Sequence, residues 1–160
     1  WQSYCAINAD QDRVICQHAP GDDLIDKLHD RYGGPVVSAR DDRIAGVIAV
    51  TPAFGVAATD AGFADVTVPM LFIEAETDEI LPETANAAHF RKLLRGRAKF
   101  VKAKGAGHYS FLPPCTPYIA ENFGYLCRDF GRERTDIHRT VEQVVLKFLG
   151  DIKSGDFQGR

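Results

Sequence analysis

The chain has 160 residues, 45% hydrophobic and 26% charged, with a formal charge of −3. This length suits one domain with a sizeable core, and the composition excludes wholesale disorder. The mild negative charge leaves no footprint for nucleic acid, and no apolar run approaches the roughly 20 residues of a membrane span. From Asp22 to Tyr32, the residues Leu24, Ile25, Leu28 and Tyr32 recur at helical spacing, and Gly33-Gly34 stops that helix. "RIAGVIAVTP" (43–52) is a nearly continuous apolar run closed by Pro52, and "VPMLFIEAETD" (68–78) is a second. "AKFVKAKGAG" (98–107) is a third, interrupted by lysines. Short continuous runs suit strands covered on both faces, as in parallel sheets. Between the second and third, Pro82 opens a helix with the stripe Ala87, Phe90, Leu93 and Leu94, and Gly96 ends it.

The last helix carries Ile137, Val141, Val144, Val145, Phe148 and Leu149 on one stripe. Thr135 or Asp136 caps its start and Gly150 sits at the C′ position, so the tail "DIKSGDFQGR" is expected to fray. No repeat or domain boundary interrupts the chain. The alternation of strands and helices predicts an α/β fold with about three parallel strands and flanking helices.

Four cysteines stand at 5, 16, 115 and 127, with no C-x-x-C spacing, so no metal site is expected. Two local bridges, Cys5–Cys16 and Cys115–Cys127, fit the turn-rich segments that hold them and point to a periplasmic or secreted protein. Four buried free thiols are the other arrangement compatible with the same count.

"GAGHYSF" (105–111) sets His108 between two glycines and two aromatics. Glycine permits backbone angles that other residues resist, so this loop presents an imidazole instead of burying it. In open α/β sheets functional groups collect at the carboxyl ends of strands. His108 follows the third strand; the corresponding position after the second is "EAETDEILP", with Glu74, Glu76, Asp78 and Glu79. Glu74 falls within the strand and Glu79 at the start of the next helix, while Asp78 comes where the strand ends. If the strands are neighbours, Asp78 and His108 leave the same edge, and the carboxylate can fix the imidazole tautomer. The other reading is an Asp capping a turn and a His filling a loop. His18, His29, His89 and His138 lack a glycine frame and are read as surface or structural, and "RYGGP" is read as a helix stop, too short to cradle a phosphate.

The strand-Asp-x-x-x-Pro of "LFIEAETDEILP", followed by the strand-Gly-x-Gly-His of "FVKAKGAGH", resembles the end of an α/β-hydrolase, in which the triad runs Ser, Asp, His along the chain. The likeness is to the bacterial dienelactone-hydrolase-like branch. "RIAGVIAVTPAFG" before the acid and "GHYSFLPPCTP…LCRD" after the histidine match it too, so that it spans about residues 43–149. The resemblance implies Asp78 as triad acid and His108 as general base, no cofactor, and a small-molecule ester or lactone as substrate. Phe54, Tyr109 and Phe111 are candidates to line its pocket.

The family's G-x-S-x-G elbow is nowhere in the sequence. Ser38 lacks both glycines, Ser110 is too near His108, and neither Ser3 nor Ser154 has elbow context. With the chain starting at Trp1, without Met or a signal peptide, residues 1–160 read as one α/β-hydrolase-like domain incomplete at its N-terminus. The elbow is then expected about 50 to 100 residues before Arg43. The missing strands would leave a sheet edge open, to be covered by the N-terminal part or an oligomer. The rival reading is a non-catalytic hydrolase-like module that binds a partner through that edge.

Overall fold

A computed structural model describes Cys5, Ala6, Cys16 and residues 41–158. The helix expected at Asp22–Tyr32 lies outside the described residues, as do Ser3, Ser38, His18 and His29. Among the described residues three strands form one parallel sheet: β1 (Val47–Val50), β2 (Met70–Ala75) and β3 (Ala98–Ala103), in the order β1-β2-β3. Val47 to Val50 pair with Met70 to Ile73, and Met70 to Ala75 with Ala98 to Ala103. The α/β class and the three strands are those the apolar runs predict. β2 is buried at every residue, as a central strand covered on both faces must be.

Within residues 41–158 the α-helices are α1 (Asp60–Phe63), α2 (Ala87–Leu93), α3 (Pro117–Asn122) and α4 (Arg134–Ser154). Strand alternation sends Leu71 and Ile73 to one face, where Ile137, Val141, Val144 and Phe148 of α4 cover them. Met70 and Phe72 face the other way, against Phe90 and Leu94 at α2. Phe72 stacks on Phe100 of β3 at 4.9 Å between centroids, locking that second layer.

Two helix boundaries differ from the sequence expectation. α2 starts at Ala87, because Asn86 is held outside helical geometry: its buried side chain accepts from Gly55 N–H at 3.2 Å and donates to Pro82 O at 3.1 Å. α4 runs past Gly150 to Ser154, with Gly155 as its left-handed cap (φ 78°). Neither Thr135 nor Asp136 caps its start; that position is Glu133, whose side chain makes no capping bond. Leu149 is 49% exposed and Ile152 takes the inward place, resting beside Gly46 at the foot of β1. The tail is not frayed through residue 158. Phe157 returns edge-on to Phe148 at 5.5 Å, and burial of that ring outweighs the entropy of ordering the turn.

Candidate active site

The parallel pairing of β2 and β3 makes both strands end at the same edge, and the ladder continues into the loops that follow. Glu76 N–H donates to Ala103 O at 3.2 Å and Thr77 N–H to Ala106 O at 2.9 Å. Asp78 and His108 therefore emerge together, with His108 Nδ1 at 3.0 Å from Asp78 Oδ2. The other carboxylate oxygen, Oδ1, accepts from the Ile80 and Leu81 N–H groups at 3.0 and 2.8 Å. Both oxygens are engaged. An ionised carboxylate only accepts, so the proton of the pair sits on Nδ1, and Nε2 is the nitrogen left to act. Among the described residues Nε2 has no hydrogen-bond partner.

The glycines around His108 have separate causes. Gly105 adopts φ 70°, which turns the chain out of β3, and Glu76 Oε2 accepts its N–H at 2.9 Å. Gly107 is needed for close approach: a Cβ there would lie 2.1 Å from Phe130 Cε2 and 2.7 Å from Glu79 Oε2. That Glu79 oxygen accepts the His108 backbone N–H at 2.9 Å. Glu76 and Glu79 thus hold the histidine loop by its main chain, a role invisible in sequence, where Glu79 looks like helix-start decoration.

After His108 the chain forms a 3₁₀ turn (His108–Phe111). Ser110 is fully buried, and its Oγ accepts the Gly107 N–H at 3.0 Å, so it fills a structural place and not that of a nucleophile. His138 Nε2 lies 2.9 Å from Ser110 O, and since a carbonyl only accepts, this nitrogen carries the proton. His89 likewise donates from Nε2 to Ala58 O at 3.0 Å. Both are structural, as their lack of a glycine frame implies. The Cys115–Cys127 bridge closes the next segment, with Cα atoms 5.8 Å apart, and Cys5–Cys16 forms the second bridge. The buried Arg134 of α4 clamps the bridged segment at both ends, donating to Pro113 O at 3.2 Å, to Leu126 O at 2.8 Å and to Asp129 Oδ1 at 3.2 Å.

Of the candidate pocket residues, Tyr109 stands edge-on to the His108 ring at 5.0 Å, and Tyr125 edge-on to Tyr109 at 5.7 Å. Partial burial, with smaller contributions from Tyr125, Glu79 and Asp78, holds the Tyr109 hydroxyl above the usual tyrosine pKa, so it stays neutral. Phe111, partly buried, packs against the α4 core. Phe54 lies at the carboxyl end of β1, half exposed and left-handed (φ 61°). Beside Asp78 lies a cavity of about 20 Å³ lined in part by Thr51, Glu74 and Asn86, room for a single water. A cleft of about 490 Å³ lies elsewhere, against Arg91, Lys92, Arg95 and Phe100. The described residues therefore supply a carboxylate–imidazole pair with a water-sized cavity beside its carboxylate.

No cluster of His, Cys, Asp and Glu among the described residues has the arrangement of a metal site, and no described helix is long and apolar enough to cross a membrane. No family model, no curated protein and no solved structure matches the chain. Fold and geometry alone define its class: an α/β domain carrying an Asp–His pair at the carboxyl edge of adjacent parallel strands.

Proposed function

We propose that this chain is the acid-and-base part of a secreted or periplasmic serine hydrolase of the α/β-hydrolase fold, acting on an ester or lactone carbonyl. The observation that carries the reading is the 3.0 Å contact between His108 Nδ1 and Asp78, with Nε2 unengaged among the described residues. In the complete enzyme a serine from outside this segment, on a G-x-S-x-G elbow, attacks the carbonyl. His108 takes its proton through Nε2 and returns it to the leaving alkoxide, while Asp78 holds the ring and stabilises the imidazolium. The two disulfides support the oxidising compartment. Ile48 and Val50 on β1 are each more than a third exposed, which favours a second reading, a module that docks a partner at that edge.

The test uses a chain extended upstream through the elbow, beside the 160-residue chain. The short chain should not turn over p-nitrophenyl acetate, because the nucleophile and its oxyanion donors supply most of the rate. In the extended chain Asp78→Asn should keep the fold and lower turnover by about 10⁴-fold, as in serine proteases of this geometry. Saturable hydrolysis by the short chain, abolished by His108→Ala, would contradict the division of roles. An upstream sequence without the elbow would leave the docking module.

A further inference from the structure

The stretch from Gly105 to Cys127 has one acidic side chain, Glu121, and no Lys or Arg, yet it holds Tyr109, Phe111, Tyr118, Phe123 and Tyr125. Phe111 is spent on the core. The others are not: Tyr118 is 65% exposed, Tyr125 56% and Phe123 40%, and Tyr118 and Phe123 meet edge-on at 6.5 Å. Exposing so many large rings in one short segment is unusual for a solvated loop, and such patches mark binding surfaces. The segment is also held in place, by the Cys115–Cys127 bridge and by Arg134 at both ends. A rigid exposed ring binds with little ordering cost, whereas a mobile one forfeits much of its contact energy.

The rings are continuous with the imidazole. Tyr125 contacts Tyr109 edge-on, and Tyr109 contacts His108 in the same way. A ligand ring seated against both Tyr125 and Tyr109 would meet them with the offset or edge geometry aromatic pairs prefer, on the side of the ladder nearer His108. Glu121 is the one acidic side chain of the stretch, there is no Lys or Arg, and Tyr109 is held neutral, so the rings offer no cationic partner to an anionic ligand.

Resting on the hydrolase reading, we propose that residues 112–125 are an aromatic platform that binds an uncharged aromatic ring of the ester substrate, with Tyr125 as its stacking partner. The ring belongs to the acyl or to the alcohol part, and the probes distinguish these: methyl benzoate carries it on the acyl side, phenyl acetate on the other.

The experiment has two arms. In the first, the 160-residue chain is titrated with methyl benzoate, phenyl acetate, methyl cyclohexanecarboxylate, sodium benzoate and neutral phosphatidylcholine vesicles, following the Tyr125, Tyr109 and His108 ring resonances. At least one aromatic ester should shift all three rings, more tightly than the cyclohexane ester and benzoate. Tyr125→Ala should weaken it about 3- to 10-fold, the size of one aromatic pair. Tyr125→Leu, which keeps apolar area without a π face, should weaken it similarly; both variants change one exposed side chain, so the fold is retained. In the second arm the extended chain is assayed for its aryl-to-alkyl ester ratio in kcat/KM, which should fall by the same factor in both variants. If the extended chain hydrolyses nothing while the aromatic ester still binds at Tyr125, the platform stands and the hydrolase reading falls. Equal binding of the cyclohexane ester, wild-type affinity in Tyr125→Leu, or shifts produced only by vesicles would overturn the platform.

Discussion

The carboxyl ends of β3 and β1 lie on the same side of one sheet and are built in opposite ways. Beyond β3 many polar restraints meet around His108: Asp78 uses both oxygens, Glu76 and Glu79 take the exposed N–H groups of the loop, Ser110 takes that of Gly107, and Arg134 clamps the segment beyond. Beyond β1 the chain is held by Thr51 N–H to Ile73 O at 2.8 Å, Gly55 N–H to Asn86 at 3.2 Å and His89 to Ala58 O at 3.0 Å, and it carries two non-glycine residues at positive φ, Thr51 at 43° and Phe54 at 61°. A proton-transfer base is useful only if its ring is held in one orientation, so polar restraints accumulate there. Such strain persists where neighbouring structure over-determines the backbone, as the Thr51 N–H bond to Ile73 O does for this β-branched residue.

Arg134→Met should break the restrained side most. It leaves the Pro113 and Leu126 carbonyls without their buried donor and Asp129 without its cation, a loss of about 2–4 kcal/mol. Urea unfolding gives that number, and faster amide exchange over 112–127 should accompany it. A loss below about 1 kcal/mol would mean that the disulfide alone holds the segment. Gly107→Ala is next, about 1–3 kcal/mol, since the methyl must displace Phe130 or Glu79. Its signature is loss of the downfield Nδ1–H proton resonance of His108, because moving Glu79 releases the His108 main chain.

On the strained side the sign reverses. Thr51→Gly should raise stability by about 0.5–1 kcal/mol through relief of the left-handed geometry, with the His108 resonances unchanged. A destabilised Thr51→Gly would show that the Thr51 side chain is held by contacts worth more than the strain. The smallest effect belongs to Glu83, on the turn that leads into α2. Burial pushes its carboxyl up, but Arg91 and Lys102 outweigh that and hold it below the ordinary 4.5. Its contribution is therefore present above that value and lost as pH falls through the lower folded pKa. The carboxylate is half exposed, so Glu83→Gln should change stability by under about 0.5 kcal/mol, and only above that window.

What the sequence determined by itself is local and periodic. The apolar runs around Val47, Met70 and Ala98 specify buried strands, because only a two-sided cover accepts them. The stripe of α4 and the order of Asp78 before His108 are equally legible, as are the two close cysteine pairs. What only the tertiary structure decided depends on residues far apart in the chain. Asn86 delays α2 because it is needed at Gly55, and α4 passes Gly150 because Ile152 and Phe157 find apolar surface there. Glu79 holds His108, and Arg134 joins Pro113 to Leu126. Phe111 turns into the core while Tyr125 joins Tyr109. No local pattern encodes these choices, since the free energy of each belongs to a contact that exists only once the strands have paired in register.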